Sequence, residues 1–230
     1  DRAIAAARGA GVTLQVGFNR RWDQAFAEGR AAIDAGKIGA PQLIRSLTRD
    51  PGPFGADPGK IPLWTIFYET LIHDFDTLLW LNPGAKPVEV FAMADALVRP
   101  DAREKGFLDT AVVSIRFDNG SVAVAEANFS ALYGYDIRGE VFGSGGMVTM
   151  GDVRRSSLTL FDKDGVSNDT WRRDTDHFIH GYTAQLASFA NAVRNRALAE
   201  GPTGIDARNA LAIALACIES VSTKQPVILK

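Results

Sequence analysis

Residues 64–81, Trp-Thr-Ile-Phe-Tyr-Glu-Thr-Leu-Ile-His-Asp-Phe-Asp-Thr-Leu-Leu-Trp-Leu, constrain the fold more than any other stretch of the chain. At about 100° per residue they read as one helix, with Phe67, Leu71, Phe75 and Leu78 on one side and Glu69, His73, Asp76 and Trp80 on the other. The apolar side demands a partner layer. The polar side places a carboxylate one turn before an imidazole, where it can orient the ring and raise its basicity, as a proton-transfer pair requires. A solvated helix face carrying a stabilising Glu–His pair has the same spacing.

Composition narrows the class. A chain of 230 residues, 46% hydrophobic and 23% charged, has the make-up of a soluble globular protein and can bury a large core. A formal charge of -2 gives no bulk attraction to nucleic acid or to an anionic membrane. The sole cysteine, Cys217, sits in an apolar helical run, so no internal disulfide forms and a buried thiol in a reducing, cytoplasmic setting is expected. No run approaches the roughly 18 to 20 apolar residues that span a bilayer, and the opening residues are too polar for a signal peptide.

In chain order, an Ala-rich helix stops at Gly9-Ala-Gly11, and residues 12–18 read as a buried strand. This pair resembles the trailing edge of an α/β domain. Asn19-Arg-Arg-Trp-Asp23 leads into a helix to about Asp34, which Gly36 and Gly39 end. Arg20 and Arg21, at a strand exit, are placed either to meet a ligand or to form interdomain ion pairs. A strand at Leu43–Arg49 precedes the Pro/Gly loop 50–59, a candidate lid over the Glu69/His73 face. Short strands then follow as an antiparallel meander, with a hairpin across Asp118-Asn-Gly120 and another across Gly143-Ser-Gly-Gly146, where glycines are expected to supply positive φ. A helical stripe of Phe178, Tyr182, Leu186, Phe189 and Val193, a helix over 206–220 and a terminal strand at 227–229 close the chain.

Val16-Gly-Phe-Asn-Arg-Arg21, Gly36-Lys-Ile-Gly-Ala-Pro41, Leu71-Ile-His-Asp-Phe-Asp76 and Tyr133-Gly-Tyr-Asp-Ile137, in this order, resemble the glucose-fructose oxidoreductase/inositol dehydrogenase/MocA family, closest in flavour to the inositol 2-dehydrogenases. The resemblance implies an α+β fold of the dihydrodipicolinate-reductase-like type. This has an open, mostly antiparallel sheet covered by helices on one face, with a truncated Rossmann remnant at residues 1–18 and a substrate-binding and oligomerisation domain at 19–230. It implies oxidation of a secondary hydroxyl of a cyclic polyol or sugar, with His73 as proton acceptor. Glu69 stands where the family has Asp, four residues before the histidine. Asn19, Arg20, Asp50, Asp76 and either Tyr133 or Tyr135 are the implied substrate contacts; two apart in a strand, the tyrosines would share a face. NAD or NADP is implied for the full-length protein, held by glycines upstream of residue 1, with none expected on this stretch, which alone should be inactive.

Two other readings fit parts of the chain. The same fold could serve only sugar binding or oligomerisation. A metal-dependent hydrolase could use His73, Asp74 or Asp76 with His177 and His180, although His-Asp-Phe-Asp alternates faces on a helix. In the strand running from Ser121 to Phe129, Val122 and Val124 point one way and Ala123, Ala125, Ala127 and Phe129 the other, so both sheet faces look apolar. The face left open by the helices is expected to make a homodimer or homotetramer.

Overall fold

A computed structural model of the chain describes residues 1–52, 60–105, 107–195, 197 and 200–229. Helix α1 (Arg2–Ala10) is followed by a 3-10 turn (Asn19–Trp22), α2 (Gln24–Asp34) and β1 (Pro41–Arg49). A π-helical turn (Ile66–Thr70) runs directly into α3 (Leu71–Trp80). The strands β2 (Pro87–Asp95), β3 (Thr110–Phe117), β4 (Val122–Asn128), β5 (Asp136–Gly143), β6 (Gly146–Met150), β7 (Arg154–Asp162) and β8 (Gly165–Thr170) come next. Helices α4 (Asp174–His177), α5 (Ile179–Asn195) and α6 (Gly204–Thr223) and the short β9 (Val227–Ile228) complete the order.

Among the described residues, seven strands form one sheet in the order β6-β5-β1-β4-β3-β2-β9, and β7 and β8 pair separately. The expected meander is interrupted. β1 lies between β5 and β4, antiparallel to the first and parallel to the second, with Arg45 beside Val124 and Glu140. Consecutive strands need not be neighbours when an earlier strand can satisfy both ladders, and here β1 does so. The α+β class and the mostly antiparallel open sheet are as expected.

The core lies between one sheet face and helices α2, α3 and α6. Phe67, Leu71, Phe75 and Leu78 are fully buried there, each contributing about 1.5–3 kcal/mol by removal from water. Ala111, Val113, Ile115, Ala123, Ala125 and Ala127 meet them from β3 and β4. Side-chain and backbone caps bound the helices. Asp23 accepts from the Ala25 and Phe26 amides at the start of α2, and Thr203 with Asp206 forms a capping box on α6.

Four local expectations change. Residues 12–18 have no ladder partner among the described residues; Val12 is exposed, and a bond from the Val16 amide to the Pro202 carbonyl ties the segment down. A strand exists only beside a neighbour, and none runs alongside this one. The glycines of the 143–146 hairpin are not among those with positive φ. Gly143 is required instead because a Cβ there would run into the Ile38 carbonyl oxygen. Helix α5 packs on the 3-10 turn rather than on the sheet, leaving Leu186 and Val193 exposed. The open sheet face is mixed, since exposed Val112 and Val122 alternate with Ser114 and Arg116, and Glu126 pairs with Arg45 and Arg49 at 2.7 and 3.0 Å. The loop expected to act as a lid lies, from 53 to 59, outside the described residues.

Candidate active site

The segment 19–22 and helix α3 carry two adjacent Arg-Asp locks. Arg20 is buried and donates to both carboxylate oxygens of Asp74, at 2.7 and 3.3 Å, and to the hydroxyls of Ser46 and Thr48 on β1. Both hydroxyls donate in turn to Asp74, at 2.6 and 2.7 Å. Arg21 grips Asp76 at 2.9 and 2.5 Å and reaches Asp206 of the α6 capping box at 2.8 Å. Burial pushes the Asp76 carboxyl above its usual range while Arg21 pulls it back. These bonds seat α3 against the segment at 19–22, β1 and α6.

A cavity of about 510 Å³ opens beside this frame, and Asn19, Arg20, Asp50, Glu69, His73 and Tyr135 all border it. His73 faces it with the edge of Phe18 against its ring at 5.7 Å. Burial, reinforced by the Arg20 charge and opposed by Asp74, lowers its pKa to about 4. The ring is therefore neutral at pH 7 and free to accept a proton. Its Nδ1 is buried without a hydrogen-bond partner.

The expected Glu69–His73 bond is absent. Glu69 stands in the π turn, where the wider spacing removes the stacking that an α-helix gives residues four apart. Glu69 borders the cavity without bonding the ring, and the charges that move the His73 pKa are Arg20 and Asp74.

The tyrosines separate as well. Both precede β5 in irregular chain, and Gly134 between them has φ of 125°, a conformation that a side chain would strain against the Trp171 carbonyl. Tyr135 enters the cavity and hydrogen-bonds Asp50; burial and the nearby carboxylates push its hydroxyl pKa up. Tyr133 turns away and donates to Asp136 at 2.9 Å. Asp76 lies with Arg21 rather than in the cavity wall, because its position on α3 faces α6 and the 3-10 turn.

Reading the sequence by apolar stripes missed one wall. Asp174, Phe178 and Tyr182 border the cavity, and Tyr182 donates to Asp174 at 3.5 Å. Their spacing of four residues was the available signal, since it sets an acid, an apolar ring and a phenol in one line. His177 instead lies between the rings of Trp171 and Phe178, at 5.0 and 4.5 Å, and does not border the cavity. Among the described residues no group of three His, Cys, Asp or Glu side chains could hold a metal ion.

No helix among the described residues is long and apolar enough to cross a membrane. An oxidoreductase of Bacillus subtilis, YrbE, described as uncharacterized, is 36% identical over 99% of this chain and 66% of its own length. The myo-inositol 2-dehydrogenase of Thermotoga maritima is 35% identical over 99% of this chain and 67% of its own. The chain thus spans about two thirds of the length of these relatives. A crystal structure of scyllo-inositol dehydrogenase from Lactobacillus casei, with bound NAD(H) and scyllo-inositol, superposes with a TM-score of 0.90 at 26% identity, covering 96% of this chain and 66% of that one. The sequence model of the GFO/IDH/MocA C-terminal domain matches residues 26–149, more than half of the chain, and the chain belongs to that family.

Proposed function

We propose that this chain forms the substrate-binding wall of a nicotinamide-dependent dehydrogenase that oxidises a secondary hydroxyl of an inositol-like cyclic polyol or sugar. The observation that carries the reading is a neutral His73 facing a cavity bordered by hydrogen-bonding groups. In this reading His73 accepts the hydroxyl proton, and Asn19, Asp50, Glu69 and Tyr135 hold the remaining hydroxyls. Arg20, spent on Asp74, supports the wall instead of gripping the ligand.

The described residues contain no glycine-rich turn between a strand and a helix N-terminus, so they do not fit a dinucleotide pyrophosphate. Residues 1–18 are assigned to the edge of a nicotinamide-binding domain and 19–230 to the substrate and assembly domain. NAD is the preferred cofactor class, supported by its presence in the Lactobacillus casei relative. The open sheet face is assigned to a homodimer or homotetramer contact, and the single buried thiol suits a reducing cytoplasm.

The test is a dehydrogenase assay of the full-length protein with NAD and NADP across inositols and aldoses, wild type against His73→Ala. Loss of a general base lowers kcat by roughly 100-fold or more. A change of only a few-fold would remove His73 from the chemistry.

A further inference from the structure

Gly181 lets α5 press onto the 3-10 turn. It is buried, and a Cβ there would come within 3.2 Å of the Asn19 carbonyl oxygen and 3.6 Å of the Asp23 amide nitrogen. That approach sets the next side chain, Tyr182, beside the side chain of Asn19, and the two hydrogen-bond. Asn19 is buried and borders the cavity, as does Tyr182. Two further contacts hold the phenol. The ring of Phe178 meets it edge to face at 6.4 Å, and its hydroxyl donates to Asp174 at 3.5 Å.

These bonds have a sense. A carboxylate only accepts, so the single phenolic proton of Tyr182 goes to Asp174 and its oxygen is left as an acceptor. The end of the Asn19 amide that can donate to that oxygen is Nδ2. Burial, first, and Asp174 raise the Tyr182 pKa while the bond from Asn19 opposes them, which is the effect of a donor on a phenolic oxygen. Turning the amide over would face two acceptors with no proton between them. With Nδ2 committed to Tyr182, the carbonyl Oδ1 is the end of Asn19 that remains for a ligand.

We propose that Tyr182 and Asp174 are positioning residues: they fix the Asn19 amide with Oδ1 toward the cavity, so that Asn19 selects a substrate presenting a hydroxyl donor there over one presenting an ether or carbonyl oxygen. This deepens the polyol reading above and rests on it. His73 remains the proton acceptor.

The test is steady-state kinetics of the full-length protein with NAD and, in turn, scyllo-inositol, myo-inositol and glucose. Tyr182→Phe removes only the hydroxyl and releases the amide; it should raise KM about fivefold, the scale of one neutral hydrogen bond, with kcat little changed. Asp174→Ala frees the phenolic proton to turn toward Asn19, and it should raise KM as well. In an Asn19→Leu background neither change has an amide left to act through, so neither should raise KM further. An unchanged KM in Tyr182→Phe, or a rise as large in the Asn19→Leu background as in wild type, overturns the proposal and leaves the polyol reading standing. A wild type that oxidises none of the three compounds overturns both.

Discussion

Arg20 and Asp74 lie 54 positions apart and form a bidentate pair with both side chains out of solvent, closed off by the hydroxyls of Ser46 and Thr48. The pair joins the segment before α2 to α3 and β1, three of the elements that border the cavity around His73. Removing one partner strands a buried charge, which costs about 3–5 kcal/mol, whereas removing both leaves none. Arg20→Met and Asp74→Leu should each lower the melting temperature strongly, and the double variant should lose much less than their sum. A strictly additive cycle in thermal denaturation would contradict the buried pairing.

The depressed pKa of His73 makes stability depend on pH with a definite sign. Its folded value of about 4 lies below the ordinary 6.5. The unfolded chain therefore binds the proton first as pH falls, and the contribution of His73 is complete above 6.5 and lost on the way down to about 4. The linked loss is at most about 3 kcal/mol. His177, also lowered by burial, acts in the same direction. Urea unfolding at pH 7 and at pH 4.5 should show the drop, and His73→Gln should flatten it. An unchanged slope in that variant would show that His73 titrates normally in the folded protein.

Because Glu69 borders the cavity without hydrogen-bonding the His73 ring, Glu69→Gln should act on substrate binding more than on proton transfer. The expected result is a KM raised by about 10- to 150-fold, the scale of one hydrogen bond to a charged group, with kcat little changed and the acidic limb of the pH profile in place. A shifted acidic limb with a matching fall in kcat would instead require Glu69 to engage His73 once substrate is bound.

The open sheet face offers the exposed Val112 and Val122 beside the Arg45–Glu126–Arg49 ion pairs. Burying that face in a homodimer predicts a mass of at least twice 24.8 kDa by light scattering at micromolar concentration. Val122→Arg would place an unpaired charge in the contact and should shift the population to monomer. A wild type that is already monomeric at that concentration would assign the face to solvent.

What the sequence determined by itself is local or carried by short motifs. The side of α3 that holds Phe67, Leu71, Phe75 and Leu78 follows from helical spacing, and the turn at Asn119-Gly120 follows from turn chemistry, with Gly120 at φ of 85°. The resemblance placed His73, Asn19, Asp50 and Tyr135 on one site, and the fold does bring them to one cavity. Tertiary structure alone decided where Arg20 spends its charge, because Asp74, Ser46 and Thr48 reach it from separate elements. It decided between Tyr133 and Tyr135 through the backbone of Gly134, which strand periodicity cannot express. It separated Glu69 from His73 by a π turn that keeps the same residues in order but changes their rotation about the axis. It also brought Asp174 and Tyr182 to the wall, since a helical pattern states which residues share a face but not what that face meets. Periodicity encodes interactions across one or two turns, whereas this site is assembled from side chains more than 100 positions apart, whose meeting depends on how the sheet and helices pack.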